Sequence, residues 1–332
     1  MTKEESADLR HRMKAHYEEI KCYRGEAMFH ATLGATQPER YISIAQDAVD
    51  ATDRGIPVTL EKTVAEDGYK LKSKTMVTMV HGSSINYYVM PENVHAGPNS
   101  SIEALHRTLH KEKEARGSLP PIMYLQADNS WREVKNTYFI CYLAWLVTKK
   151  IFTTIYLCFH PKGHTHNECD QCGSRIVVAL HGAKVLCKCM LERILRASYC
   201  PAPDVEWMNI VMDWKRQVNP TYETNPEFSL HKGSRVERGF GMTRAQLFKI
   251  EWHGPPRGRW PDRQVCVMDK LSVLTPAWSE PYFPWNTDPD NIELSDVKGP
   301  IFRPVPAARL EAIAKTLETY HYRQNAHQIA WT

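Results

Sequence analysis

Residues 121–129, PIMYLQADN, are a short apolar run that ends in an aspartate and an asparagine. A short apolar run bounded by turn residues is typical of a buried strand. A polar turn follows, then an apolar helix around NTYFICYLAWLVTKK and a second strand, FTTIYLCFH (152–160). Strands that alternate with helices in this way predict a parallel arrangement within a sheet.

The residues before this stretch predict three further strands and a helix. YISIAQD (41–47) alternates apolar with small or polar residues, and KLKSKTMVTMVHG (70–82) and SINYYVMP (84–91) are joined by a Gly-Ser turn. A helix over IEALHRTLHKEKEA then leads to residue 121. This element order is that of the ribonuclease H fold, in which the first and fourth strands are neighbours. We therefore expect an α/β fold with a mixed five-stranded sheet flanked by helices.

The remaining segments are predicted to surround this core. Residues 1–40 predict a helical appendage, with one exposed helix over 4–30, and the core itself is expected to span 41–200. Residues 201–332 are rich in tryptophan and proline and contain only short apolar runs. They predict an irregular, β-rich C-terminal extension that ends in a helix over 306–324.

Composition excludes some classes of protein. Of the 332 residues, 42% are apolar and 24% charged, and the net charge of +4 permits a nucleic-acid partner without implying one. The longest apolar run, 138–147, is shorter than the roughly 20 residues of a membrane span, and the charged N-terminus lacks the core of a secretory signal. Nine irregularly spaced cysteines fit a reducing compartment, so a nuclear or cytoplasmic location is expected.

Three aspartates are the candidate catalytic and metal-binding residues. Asp47 and Asp128 are predicted at the carboxyl ends of neighbouring strands, where sites of open α/β sheets lie, and Asp170 would enter from the following helix. Oxygen ligands of this kind suit Mg²⁺ or Mn²⁺, and a two-metal site could act on a phosphodiester. Taken singly, each aspartate is also an ordinary turn or cap residue.

The stretch HPKGHTHNECDQC (160–172) concentrates further ligand types. His164 and His166 are candidate catalytic residues as proton relays, and Glu168 is a candidate metal ligand. A zinc site is the competing interpretation, because Cys169 and Cys172 form a CxxC pair. A second cysteine pair lies downstream at Cys187 and Cys189. The spacing of the four cysteines matches no strong zinc template, and cysteines in an apolar helix often serve as small buried side chains.

Basic residues near these acids are candidate DNA contacts, because phosphate neutralisation provides most of the non-specific affinity. The first group is Arg132, Lys135 and Lys162. A second lies in WHGPPRGRWPDR, where Arg257, Arg259 and Arg263 alternate with tryptophans that could stack on unpaired bases. The alternative is a solvated loop whose tryptophans fold onto the domain. No helix-turn-helix or zinc finger precedes residue 40, so sequence-specific recognition is not predicted.

Four segments resemble a eukaryotic domain family of unknown function found in transposon-derived proteins. They are YISIAQDAVD, HAGPNSSIEALHRTLH, YLQADNSWREVKN and FHPKGHTHNECDQ, and the likeness covers about residues 5–200. The family motifs resemble DGMDQSK, DNxxxENKN and GHTHxxxDQ. By position Asp47 matches the first motif, Asp128 and Asn129 the second, and His164, His166 and Asp170 the third.

The resemblance implies a ribonuclease H-like core similar to those of cut-and-paste transposases and retroviral integrases. Departures surround the first aspartate, where Ala48, Val49, Ala51 and Asp53 stand in place of the family residues, and Val134 replaces an asparagine of the second motif. Cys169 and Cys172 are outside the motifs, which favours the active-site interpretation over zinc. We expect metal-dependent cleavage or strand transfer on DNA. The alternatives are an inactive, domesticated domain that binds nucleic acid or protein, and a zinc-stabilised interaction module.

Overall fold

A computed structural model describes residues 3–49, 71–161, 168–183, 185–218, 245–252, 265–279 and 305–319. These residues form a mixed α/β fold in which one eight-stranded sheet is flanked by helices. No helix within these ranges is long and apolar enough to cross a membrane.

The strands follow the predicted pattern closely in the first half of the chain. They are β1 (Tyr41–Val49), β2 (Ser73–Val80), β3 (Ile85–Pro91), β4 (Ile122–Ala127), β5 (Thr154–Phe159), β6 (Asp204–Trp207), β7 (Leu247–Trp252) and β8 (Val265–Lys270). The helices between and around them are α1 (Lys3–Thr36), α2 (Pro98–Arg116), α3 (Thr137–Thr148), α4 (Glu168–Leu180), α5 (Lys188–Ala197), α6 (Trp214–Val218) and α7 (Ala307–Thr319).

The sheet has the strand order β6-β3-β2-β1-β4-β5-β7-β8. Strands β1, β4 and β5 are parallel, while β2 is antiparallel to both β1 and β3. The predicted hairpin and the predicted pairing of the first and fourth strands are therefore confirmed. Parallel neighbours need a crossover connection. Helix α2 lies in the connection from β1 to β4, and α3 connects β4 to β5.

The predicted count of five strands is wrong, because three later strands join the same sheet. Strand β6 pairs in parallel with β3, and the antiparallel pair β7 and β8 extends the sheet beyond β5. An open sheet edge presents unpaired N–H and C=O groups that favour an added strand. These strands have only four to six residues each. So short a sequence pattern does not predict which strand each of them pairs with.

Two apolar layers cover the two faces of the sheet. On one face, α2 and α3 pack against β1, β4, β5, β7 and β8 around side chains such as Ile44, Leu125 and Phe139. On the other, α4 and α5 cover β1, β2 and β3 around Val77 and Tyr87. Central parallel strands buried on both faces explain why β4 appears in the sequence as an apolar run rather than an alternating one.

Helix α1 packs on the sheet through its C-terminal half. Tyr23 is fully buried against Tyr124 of β4, and the ring of His30 stacks on the same tyrosine with 3.9 Å between ring centroids. Gly34 lies so close to β1 that an added Cβ would stand 2.8 Å from the Cβ of Ser43. The N-terminal half of α1 is exposed.

Candidate active site

The carboxyl edge of the central parallel strands brings the first two predicted aspartates side by side. Gln46 of β1 pairs with Ala127, the last residue of β4, so the residues that follow them, Asp47 and Asp128, lie next to each other at this edge. His160 occupies the corresponding position after β5. The arrangement follows from the parallel register, which places equivalent strand ends together.

Helix α4 brings the third aspartate to the same place. Gly173 of this helix lies against Val49, with only 3.2 Å between the position of an added Cβ and a methyl group of the valine. The close approach holds the first turn of α4, which contains Asp170, beside β1. The charge of Asp170 then acts on both Asp47 and Asp128. Asp47, Asp128 and Asp170 are therefore brought together.

Burial and neighbouring negative charge raise the pKa of the first two aspartates. Burial raises the pKa of Asp47 to about 7, with further increases from the charges of Asp128 and Asp170, while the Ala48 N–H that donates to its Oδ1 at 2.7 Å opposes the change. Burial also raises the pKa of Asp128, although the Asn129 N–H donates to its carboxylate at 2.7 Å. Like charges held together favour protonation or a neutralising cation.

Glu133 is a fourth carboxylate at this edge and was not among the predicted site residues. Its charge raises the pKa of both Asp47 and Asp128. Its Oε1 forms an ion pair with Lys74 of β2, and the lysine charge in turn lowers the pKa of Asp128. The signal was present in the sequence, since Glu133 occupies the glutamate position of the second motif.

Glu168 lies in the first turn of α4 but faces a histidine. Its Oε2 is 3.8 Å from Nε2 of His81, and this neighbouring imidazole is the main cause that lowers the pKa of Glu168. His81 is oriented from the other side, where its Nδ1 lies 2.9 Å from Oγ of Ser43. His160 also lowers the pKa of Glu168 through its charge. The carboxylate predicted to bind metal thus has a histidine partner in this structure.

The donor set suits a hard cation, although the described side chains do not enclose one by themselves. In the described ranges, no three histidine, cysteine, aspartate or glutamate side chains converge closely enough to form a complete metal site. Mg²⁺ commonly uses one or two carboxylates and keeps several waters. The oxygen chemistry and the excess negative charge of Asp47, Asp128 and Asp170 therefore fit this kind of ion. His164 and His166 lie outside the described residues.

The predicted nucleic-acid contacts have different environments. Arg132 is exposed, and its guanidinium lies 5.3 Å from the ring centroid of Trp131. Lys135 is buried, with its ammonium 5.2 Å from the ring centroid of Phe159. The remaining candidates fall outside the described residues, namely Lys162, Arg257, Arg259 and Arg263.

The cysteines of the zinc interpretation are found in two settings. Cys169 and Cys172 are buried on the sheet-facing side of α4, and burial raises the pKa of both thiols. Cys187 precedes α5, and its Sγ is 2.7 Å from that of Cys189. Buried thiols with raised pKa values behave as small apolar side chains rather than as thiolate ligands.

Comparison with known proteins adds one finding. No curated protein and no solved structure matches the chain. A family model described as a domain of unknown function, DUF7869, matches residues 64–248, more than half of the chain. The matched range contains Asp128, Glu133 and Asp170 and begins after β1, which carries Asp47. The chain belongs to this family of domains of unknown function.

Proposed function

We propose that this protein is transposase- or integrase-like and that β1 to β5 form a ribonuclease H-like catalytic core. Support comes from the strand order β3-β2-β1-β4-β5, with β2 antiparallel and β4 and β5 parallel to β1. This is the order expected for that fold. The short strands β6, β7 and β8 are additions at the two edges of such a core.

One observation carries the functional proposal, namely that Asp47 and Asp128 lie side by side at the carboxyl edge of the parallel strands, with Asp170 in the first turn of the adjoining helix α4. Carboxylates crowded this closely raise one another's pKa and are stabilised by a divalent cation. Bound Mg²⁺ or Mn²⁺ would activate a nucleophile and stabilise the leaving oxygen of a phosphodiester. The substrate we propose is DNA, with water or a terminal 3′-hydroxyl as the nucleophile, which implies action in the nucleus.

The residues of the chain have distinct proposed roles. Asp47 of β1 and Asp128, which directly follows β4, would hold the cation, and Asp170 would add a third carboxylate from α4. Glu133 adds negative charge and is itself tied to Lys74, which limits the total charge of the site. Glu168 contacts His81, and its proposed role is to fix the orientation of α4 through this contact rather than to bind the metal ion directly.

The experiment is a nicking assay with Mn²⁺ on mixed single- and double-stranded DNA. Wild-type protein is compared with Asp128→Asn, with Asp8→Asn as a control at an exposed aspartate of α1, and with metal chelated. We expect Asp128→Asn and chelation each to reduce nicking by roughly 100-fold or more, and Asp8→Asn to leave it unchanged. Nicking that survives both treatments would contradict the proposal. Wild-type protein that binds DNA without nicking it would favour a non-catalytic, transposase-derived binding domain.

A further inference from the structure

The turn between β4 and α3 is tightly organised. The carbonyl of Ser130 accepts the N–H groups of Glu133, Val134 and Lys135 at 3.0 to 3.3 Å. Asn136 caps α3 by accepting the Phe139 N–H at 3.1 Å, and its amide donates to the Trp131 carbonyl at 3.4 Å. A turn held at this many points presents its outward side chains in a fixed position.

The two outward side chains of this turn form an exposed aromatic and cationic pair. Val134 and Lys135 point inward and are buried, whereas the side chain of Trp131 is 67% exposed. The Arg132 guanidinium stacks over the indole at 5.3 Å from its centroid. Because Trp131 and Arg132 both remain exposed in spite of this contact, ring surface and guanidinium N–H groups are accessible to a ligand. An apolar ring and a fixed cation side by side match the base and the phosphate of an unpaired nucleotide.

The pair lies between two acids of the candidate active site. Asp128 is three residues before Trp131, and Glu133 is the residue after Arg132, so the Cα of Trp131 lies within about 11 Å of the Cα of Asp128 by chain length alone. We infer that Trp131 and Arg132 form a stacking platform for an unpaired nucleobase that flanks the phosphodiester at the carboxylates. This inference rests on the proposed function and adds single-stranded or locally unpaired nucleic acid as the substrate class.

The test measures binding separately from cleavage. Fluorescence anisotropy with labelled oligo-dT and oligo-U is recorded for the full chain in EDTA and again with Ca²⁺, comparing wild type with Trp131→Ala, Trp131→Phe and Arg132→Ala. Phe29→Ala is the matched control, because Phe29 is similarly exposed (57%) on α1. Unchanged thermal unfolding of Trp131→Ala confirms that its fold is intact. The oligonucleotide that binds with the higher affinity identifies DNA or RNA as the source of the unpaired base.

The expected result is specific to stacking. Trp131→Ala weakens single-strand affinity roughly 5- to 100-fold, whereas Trp131→Phe retains most of the affinity and Phe29→Ala all of it. Arg132→Ala reduces the slope of log affinity against log salt concentration by about one, as expected for the loss of one phosphate contact. Equal affinities of Trp131→Ala and wild type, or no wild-type binding to either single strand, would overturn the platform.

Failure of the platform and failure of the proposed function give different results. Asp128→Asn should bind single strands with wild-type dependence on Trp131, because the base stacks outside the carboxylates. If wild-type protein shows no nicking while Trp131→Ala still weakens binding, the catalytic proposal fails and the platform stands. If nicking depends on Asp128 but Trp131→Ala binds normally, only the platform fails.

Discussion

Replacing Asp47 by asparagine should stabilise the metal-free protein at pH 8, even though Asp47 is a proposed metal-binding residue. Burial and the charges of Asp128 and Asp170 raise its pKa from an ordinary value of 3.8 to about 7. The folded state therefore binds this proton more tightly than the unfolded state does. Its stabilising contribution is fully present below pH 3.8 and is lost as pH rises through 7.

The size of the effect follows from the change in pKa. The difference between 3.8 and about 7 corresponds to roughly 4 kcal/mol of folding free energy at about 1.4 kcal/mol per pH unit. This is an upper limit, because an asparagine amide at the same position remains a buried polar group with hydrogen bonds to satisfy. We expect Asp47→Asn to recover about half of it, about 2 kcal/mol, which raises the melting temperature by a few degrees.

Urea unfolding in EDTA at pH 5 and pH 8 measures this effect, with Asp8→Asn as the control for an exposed aspartate on α1. Asp47→Asn should gain more stability at pH 8 than at pH 5, and Asp8→Asn should change by less than about 0.5 kcal/mol at either pH. Added Mn²⁺ should then stabilise wild type more than Asp47→Asn. A variant that is less stable than wild type at pH 8 would refute the argument that a buried, ionised Asp47 beside other carboxylates destabilises the folded state.

Two further predictions concern contacts that stabilise the fold. Gly34→Ala should destabilise the protein by roughly 1–3 kcal/mol in urea unfolding, because its Cβ would stand 2.8 Å from that of Ser43. Gly25→Ala in the same helix has no atom within 4 Å of its Cβ and should gain up to about 1 kcal/mol, so equal effects would contradict the close contact. Trp214→Phe removes an indole N–H that donates to the buried Glu103 carboxylate at 2.8 Å, and a loss of roughly 2 kcal/mol is expected. A thermal melt identical to wild type would count against that bond as a stabilising contact.

Only part of the candidate site could be predicted from the sequence. Asp47 and Asp128 were predictable because each lies near the carboxyl end of a strand whose apolar pattern is local, and parallel neighbours align their ends. Glu133 was missed because it stands in a polar turn, where carboxylates are common and usually solvated. Apart from its match to the glutamate of the second motif, its position near both aspartates, with Lys74 beside it, distinguishes it from an ordinary surface residue.

Local sequence patterns predict the order of elements from α1 to α5 and the parallel pairing of β1 and β4. Hydrophobic periodicity and turn residues act over short distances, so they are readable in the chain. Long-range packing determined that β6, β7 and β8 join the sheet and that α4 approaches β1 at Gly173. It also decided that Glu168 meets His81. These contacts join residues far apart in the chain, and they depend on which edges and faces remain to be covered once the local elements have formed.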